Sequence, residues 1–162
     1  MRQAVYSIPA DLRAALRRTE MSENITFSFD VHGDDFSSAG EASQIVKKKL
    51  RQLGFSPEII RRVSIAMYEG EINMVIHAEG GKAEVTVTDD DIIIVLADRG
   101  PGIADISLAM QEGYSTARDN IRALGFGAGM GLPNMKKYTD TMKIDTEIGV
   151  GTTITMTVRH RI

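Results

Sequence analysis

The stretch that decides the fold is KAEVTVTDDDIIIVLADRGPGI, residues Lys82 to Ile103. Two strand-like runs, Lys82 to Val87 and Ile92 to Ala97, flank the turn-forming pair Asp89-Asp90, so the spacing predicts an antiparallel hairpin. Its second arm is apolar at every position from Ile92 to Ala97. That predicts a central strand buried on both faces. The strand runs straight into Asp98-Arg99-Gly100-Pro101-Gly102-Ile103, a turn-rich segment at a buried strand end.

Upstream, Ser56 has the signature of a helix N-cap, with Pro57 at the first helical position and Glu58 behind it. The helix it opens is expected to run to about Ala78, where Gly80-Gly81 stops it. A further helix is expected over Ser38 to Leu53, ended by Gly54. Thr26 to Val31 alternates apolar and polar residues, as in a half-buried strand. Downstream, Leu132 to Tyr138 reads as a helix, and Lys143 to Ile148 with Thr152 to Val158 as a closing hairpin. Strand-helix alternation is missing, so a doubly wound fold is not expected. The order predicts an α+β two-layer sandwich, with a mixed, mostly antiparallel sheet carrying helices on one face. Residues 1–24 read as an N-terminal arm, with a short helix from Ala10 to Arg18, and residues 25–162 as the main domain.

Composition narrows the function. The 162 residues carry 43% hydrophobic and 25% charged side chains, ordinary for a single globular domain. A net charge of -3 gives no basic excess for direct nucleic-acid binding. No cysteine is present, which excludes disulfides and thiolate metal sites. No apolar run is long enough for a membrane span, and Met1 to Ala10 lacks the apolar core of a signal peptide. A cytoplasmic location is the resulting expectation.

Four constellations carry chemistry. Glu69, Asn73 and His77 fall at i, i+4 and i+8 of the long helix and so share one stripe. An amide oxygen suits Mg²⁺, and a carboxylate one turn away can take a proton from an attacking hydroxyl. Taken alone, Glu-x-x-x-Asn is common on solvated helix faces, and His77 suits a helix C-terminus. Second, Asp98 at the end of a buried strand must face a cleft or find a partner, and it can accept from an amino group such as that of adenine. Gly102 in the turn would let a flat ring approach the backbone. Third, Gly125-Phe126-Gly127-Ala128-Gly129-Met130-Gly131-Leu132 leads into a helix. Such a loop offers backbone N–H groups to an anion, but it lacks the Lys-Ser/Thr ending of a Walker loop. Fourth, Gly151-Thr152 opens the last strand, and Thr152 shares parity with Ile154, Met156 and Val158, which aims its hydroxyl at the buried side, where it could support Asp98.

In this order the four resemble the GHKL ATPase superfamily and its Bergerat nucleotide site, over about Thr26 to the C-terminus. Within it the likeness is to bacterial anti-sigma and switch-protein serine kinases, through Asp98 to Ile103, Gly113-Tyr114-Ser115-Thr116 and Gly129-Met130-Gly131-Leu132-Pro133. The resemblance implies ATP with Mg²⁺ on Asn73, and Glu69 as catalytic base. It implies that Asp98 reads the adenine amino group beside Gly100, Gly102 and Ile103, with Thr152 in support. Gly125, Gly127, Gly129, Met130, Gly131 and Leu132 would line the phosphates, with His77 nearby and Arg118 of the lid reaching the γ-phosphate. The implied activity is transfer of the ATP γ-phosphoryl group to a serine or threonine of a small regulatory partner. A STAS-type antagonist, or a sigma factor held by binding, would be that partner, and a homodimer is open to such a chain. A non-catalytic, ATP-dependent binding module is the alternative. A histidine-kinase catalytic fragment is not the expectation, because 162 residues leave no room for a separate dimerisation and phosphoacceptor domain.

Overall fold

The computed structural model describes residues 23–161. The helix expected over Ala10 to Arg18 lies outside them. Five strands and five helices follow in the order β1 (Ile25–His32), α1 (Glu41–Gln52), α2 (Pro57–His77), β2 (Gly80–Val87), β3 (Asp91–Asp98), α3 (Ile106–Ala109), α4 (Asp119–Ala123), α5 (Gly131–Tyr138), β4 (Thr141–Glu147) and β5 (Gly151–Arg159). The sheet order is β1-β2-β3-β5-β4, and all four pairings are antiparallel. The sheet expected to be mixed is therefore antiparallel throughout the described residues, because each strand returns beside a neighbour running the other way.

The Lys82–Ile103 hairpin forms as expected and puts β3 at the centre, between β2 and β5. The expectation that β3 is buried on both faces is corrected. Ile92, Ile94 and Leu96 are buried under the helices, whereas Ile93, Val95 and Ala97 on the other face are only half-buried. The helices cover one face, so the apolar run buys burial on one side and packs against cross-strand neighbours such as Thr155 on the other. The fold is a two-layer α+β sandwich.

Helix α2 is the spine of the helical layer. Ser56 caps it, accepting from the Ile59 amide at 3.3 Å, and Pro57 occupies its first position. Val63, Ala66, Met67, Met74 and Val75 lie against the sheet, all nearly or fully buried. Each large apolar side chain removed from water contributes about 1.5–3 kcal/mol. Gly70 sets the approach of α2 to β3, since a Cβ there would lie 1.9 Å from Leu96 Cδ1.

Helix α1 starts at Glu41, three residues later than the sequence suggests. Ser38 is instead bound to Asp35, its hydroxyl donating to the carboxylate at 2.7 Å. The N-cap position holds Gly40, which has no side chain to offer. Buried Glu71 of α2 supplies the cap, accepting from the amides of Ala42 at 3.1 Å and Ser43 at 3.0 Å. A negative carboxylate at a helix N-terminus also meets the favourable end of the helix dipole.

The segment 104–124 contains two one-turn helices. Asp105 caps α3 by accepting from the Leu108 amide at 3.0 Å, and buried Ile121 anchors α4.

Candidate functional site

The C-terminal half of α2, the end of β3, the start of β5 and the segment 104–132 enclose a cleft of about 640 Å³. That is ample for a drug-sized or nucleotide-sized ligand. The helical stripe forms one wall, with Glu69, Asn73 and His77 all lining it. Gly131 at the start of α5 lies against the Asn73 amide, where a Cβ would come within 3.0 Å of both its oxygen and its nitrogen. Burial holds the His77 imidazole below its ordinary value, partly opposed by the charge of Asp98. The Thr116 hydroxyl lies 3.5 Å from His77 Nδ1 and brings the segment 104–124 over this wall.

Asp98 lies at the end of the cleft nearest His77. Its Oδ1 accepts from the amides of Gly100 and Thr152, both at 2.9 Å. One carboxylate oxygen is thus fixed by the protein, and the group lines the cleft with acceptor capacity to spare. The Thr152 hydroxyl does not reach Asp98, as the sequence suggested it could. It pairs with Thr146 Oγ1 at 2.9 Å, and that hydroxyl accepts from the Ile103 amide at 2.9 Å. The support to Asp98 comes from the Thr152 backbone, because the side chain points along the sheet to β4. Gly102 lines the cleft with φ +79, and a Cβ there would lie 2.6 Å from the Glu147 carbonyl, so the turn accepts only glycine at this position.

The glycine-rich loop forms the third side. Gly100, Gly102, Ile103, Gly125, Gly127, Gly129, Met130, Gly131, Leu132 and Thr152 all line the cleft. Gly125, Gly127 and Gly129 have positive φ, and Met130 after them is right-handed. A left-handed residue followed by a right-handed one, as at Gly129-Met130, can turn successive amide hydrogens to one side, the geometry of an anion cradle ahead of α5. Arg118 is the exception among the expected residues. It is exposed at the start of α4 and is not among the residues that line the cleft.

Several cleft residues escaped the sequence reading. Ile72 and Ile76 extend the α2 wall, and Tyr68, Tyr114 and Phe126 frame the opening. Phe126 stacks on Phe36 at 5.6 Å between centroids, tying the glycine loop to the connection before α1. Asn134 of α5 donates from Nδ2 to Glu69 Oε1 at 2.9 Å. The i+3 and i+7 spacing from Glu69 points to Ile72 and Ile76, but no local signal marks Asn134, which meets Glu69 only through tertiary packing.

The model of the histidine kinase-, DNA gyrase B- and HSP90-like ATPases matches residues 60–162, which hold nearly all of α2, the cleft-lining residues and strands β2 to β5. The chain belongs to this GHKL ATPase family. It is 30% identical to the serine/threonine-protein kinase RsbT of Bacillus subtilis over 117 residues, 70% of this chain and 82% of RsbT. It is 31% identical to the anti-sigma F factor of Caldanaerobacter subterraneus over 121 residues, 72% of this chain and 81% of that protein. The anti-sigma F factor of Clostridium acetobutylicum is 33% identical over 104 residues, covering 61% and 69%. As a GHKL ATPase domain the chain binds ATP. No helix among the described residues is long and apolar enough to cross a membrane.

The donor set bears on the metal. Among the described residues no three His, Asp or Glu side chains gather as a metal cluster. Asn73 offers one hard oxygen to the cleft beside the glycine cradle. That fits Mg²⁺, which takes few protein ligands and completes its shell from nucleotide phosphates and water. It does not fit a metal caged by protein alone.

Proposed function

We propose that this GHKL ATPase is an ATP-dependent protein serine/threonine kinase of the anti-sigma and switch-protein type. The names of its relatives support a regulatory protein partner such as a sigma factor, and a STAS-type antagonist is the partner we propose for phosphoryl transfer. The observation that carries the catalytic reading is the place of Glu69. It lines the cleft one helical turn from Asn73, which Gly131 of the glycine loop meets, and two turns from His77, which lies nearest Asp98. Asp98 would accept from the adenine amino group, and the amides of residues 125–131 would take the phosphates. Asn73 would hold Mg²⁺, whose chemistry is to neutralise charge on the phosphate oxygens.

A serine or threonine hydroxyl of the partner then attacks the γ-phosphorus in line. The new P–O bond forms as the bond from the γ-phosphorus to the bridging oxygen breaks. ADP departs with that electron pair, and the hydroxyl proton passes to the Glu69 carboxylate. The protein's part is to position the groups and exclude water.

The test is transfer of label from γ-labelled ATP to a STAS-domain protein encoded beside the chain. Wild type should label it, and Glu69→Gln should keep ATP binding while losing about 10²-fold or more in rate. Binding of that partner without any transfer by wild type would replace the kinase with a nucleotide-gated binding module.

A further inference from the structure

Helix α5 delivers two residues onto the Glu69–Asn73 stripe of α2. Gly131 meets Asn73, and one turn later Asn134 meets Glu69. The two helices run antiparallel along this contact, and Met135 of α5 is fully buried beside Gly70. The Asn134 position is therefore fixed by core packing and not by chance contact at the surface. A carboxylate only accepts, so the amide nitrogen of Asn134 must be the donor to Oε1. Among the described residues no other group donates to the Glu69 carboxylate. Both partners are half-buried, so water competes less with this bond than at an exposed site.

We infer that Asn134 is a positioning residue for the reaction, holding one oxygen of the Glu69 carboxylate so that the other faces the incoming hydroxyl. This rests on the reading of Glu69 as base. A carboxylate on a glutamate stem has three rotatable bonds, and a base that rotates away from the line of attack loses rate without losing substrate. Asn134 also sits on the helix whose N-terminus is the glycine cradle. A phosphate drawn into the cradle acts on the same rigid element that sets the carboxylate, so nucleotide seating and base orientation are mechanically joined.

The experiment is single-turnover release of phosphate from γ-labelled Mg-ATP by the full chain, with water as acceptor. It is run for wild type, Asn134→Leu, Asn134→Asp, Glu69→Gln and the Glu69→Gln/Asn134→Leu double variant. Each is accompanied by ATP titration and thermal unfolding. Asn134→Leu keeps the branched shape and heavy-atom count and removes the donor. It should slow release about 10-fold with ATP affinity changed less than about 2-fold, and Asn134→Asp, which sets a second carboxylate against Glu69, should slow it further. The double variant should be no slower than Glu69→Gln alone, because Asn134 acts only through Glu69. A structural role would lower the melting point and multiply the two losses, and that result overturns the inference. So does a wild-type rate in Asn134→Leu while Glu69→Gln is slow, which leaves the base assignment standing. A wild-type rate in Glu69→Gln removes the base assignment and this inference together.

Discussion

The backbone amide of Thr152 donates to Asp98 Oδ1 at 2.9 Å, joining two residues 54 positions apart across the β3–β5 strand ends. With the Gly100 amide on the same oxygen, this fixes the carboxylate plane before any ligand arrives. Asp98→Asn can keep its oxygen toward these two amides. It then presents an NH₂ group where the adenine amino group would come, setting donor against donor. ATP affinity should fall by about 2–4 kcal/mol with folding intact. Isothermal calorimetry reads this directly, and unchanged affinity in a folded variant would end the adenine-recognition reading.

Asn73 offers its amide oxygen beside the glycine cradle. If that oxygen ligates Mg²⁺, wild-type affinity for ATP should drop when EDTA replaces the metal. Asn73→Ala should bind ATP with nearly the same affinity in both conditions. Equal wild-type affinity with and without metal would count against the assignment.

Glu71 is only 2% exposed, and its two oxygens take two amides of the first turn of α1. Glu71→Gln keeps one acceptor and turns an NH₂ group toward the other amide. Urea unfolding should show a loss of about 2 kcal/mol, and Glu71→Ala should lose more. A variant as stable as wild type would mean that α1 finds another cap.

His77 gives a pH dependence. Its ordinary value is 6.5, and burial lowers it in the folded chain. Below 6.5 the unfolded chain therefore binds more protons at this position than the folded one. Stability should fall as pH drops from about 7 through that window, and level off above it. Melting curves from pH ~7 to ~5 should show His77→Asn with a shallower fall than wild type. Identical slopes would show that other groups set the acid limb.

The strands, the two long helices and their order could be read from periodicity and caps, because those signals are local. Ser56 and Pro57 announce α2, and the alternation at Thr152 announces its buried side. What could not be read depends on contacts between distant segments. Nothing near Glu41 says that Glu71 will cap α1. The run Ile92 to Ala97 is apolar throughout, yet only the helical layer's position decides which half of it is dry. In the cleft, the residue types of the helical stripe and glycine loop were legible, and all but Arg118 came together. Asn134 and the Thr152–Thr146 pair were not, because a single polar side chain carries no period.

Asp98 stands between Gly81 on β2 and Gly151 on β5, and an added Cβ at either would lie within 2.2 Å of the β3 backbone carbonyls of Ala97 or Asp98. An added Cβ at Gly125 on the rim, by contrast, has nothing within 4 Å, and the same holds for Gly113 and Gly149 in turns outside the cleft lining. The two ends of the cleft therefore differ in how freely they can be rewritten. Mutational drift is blocked at the strand ends by the chain's own main chain, whatever the ligand. At the rim only the left-handed backbone restrains it. A lineage can retune how the opening meets other proteins by changing its rim while the floor around Asp98 stays frozen, so new specificities can arise without the nucleotide seat being rebuilt.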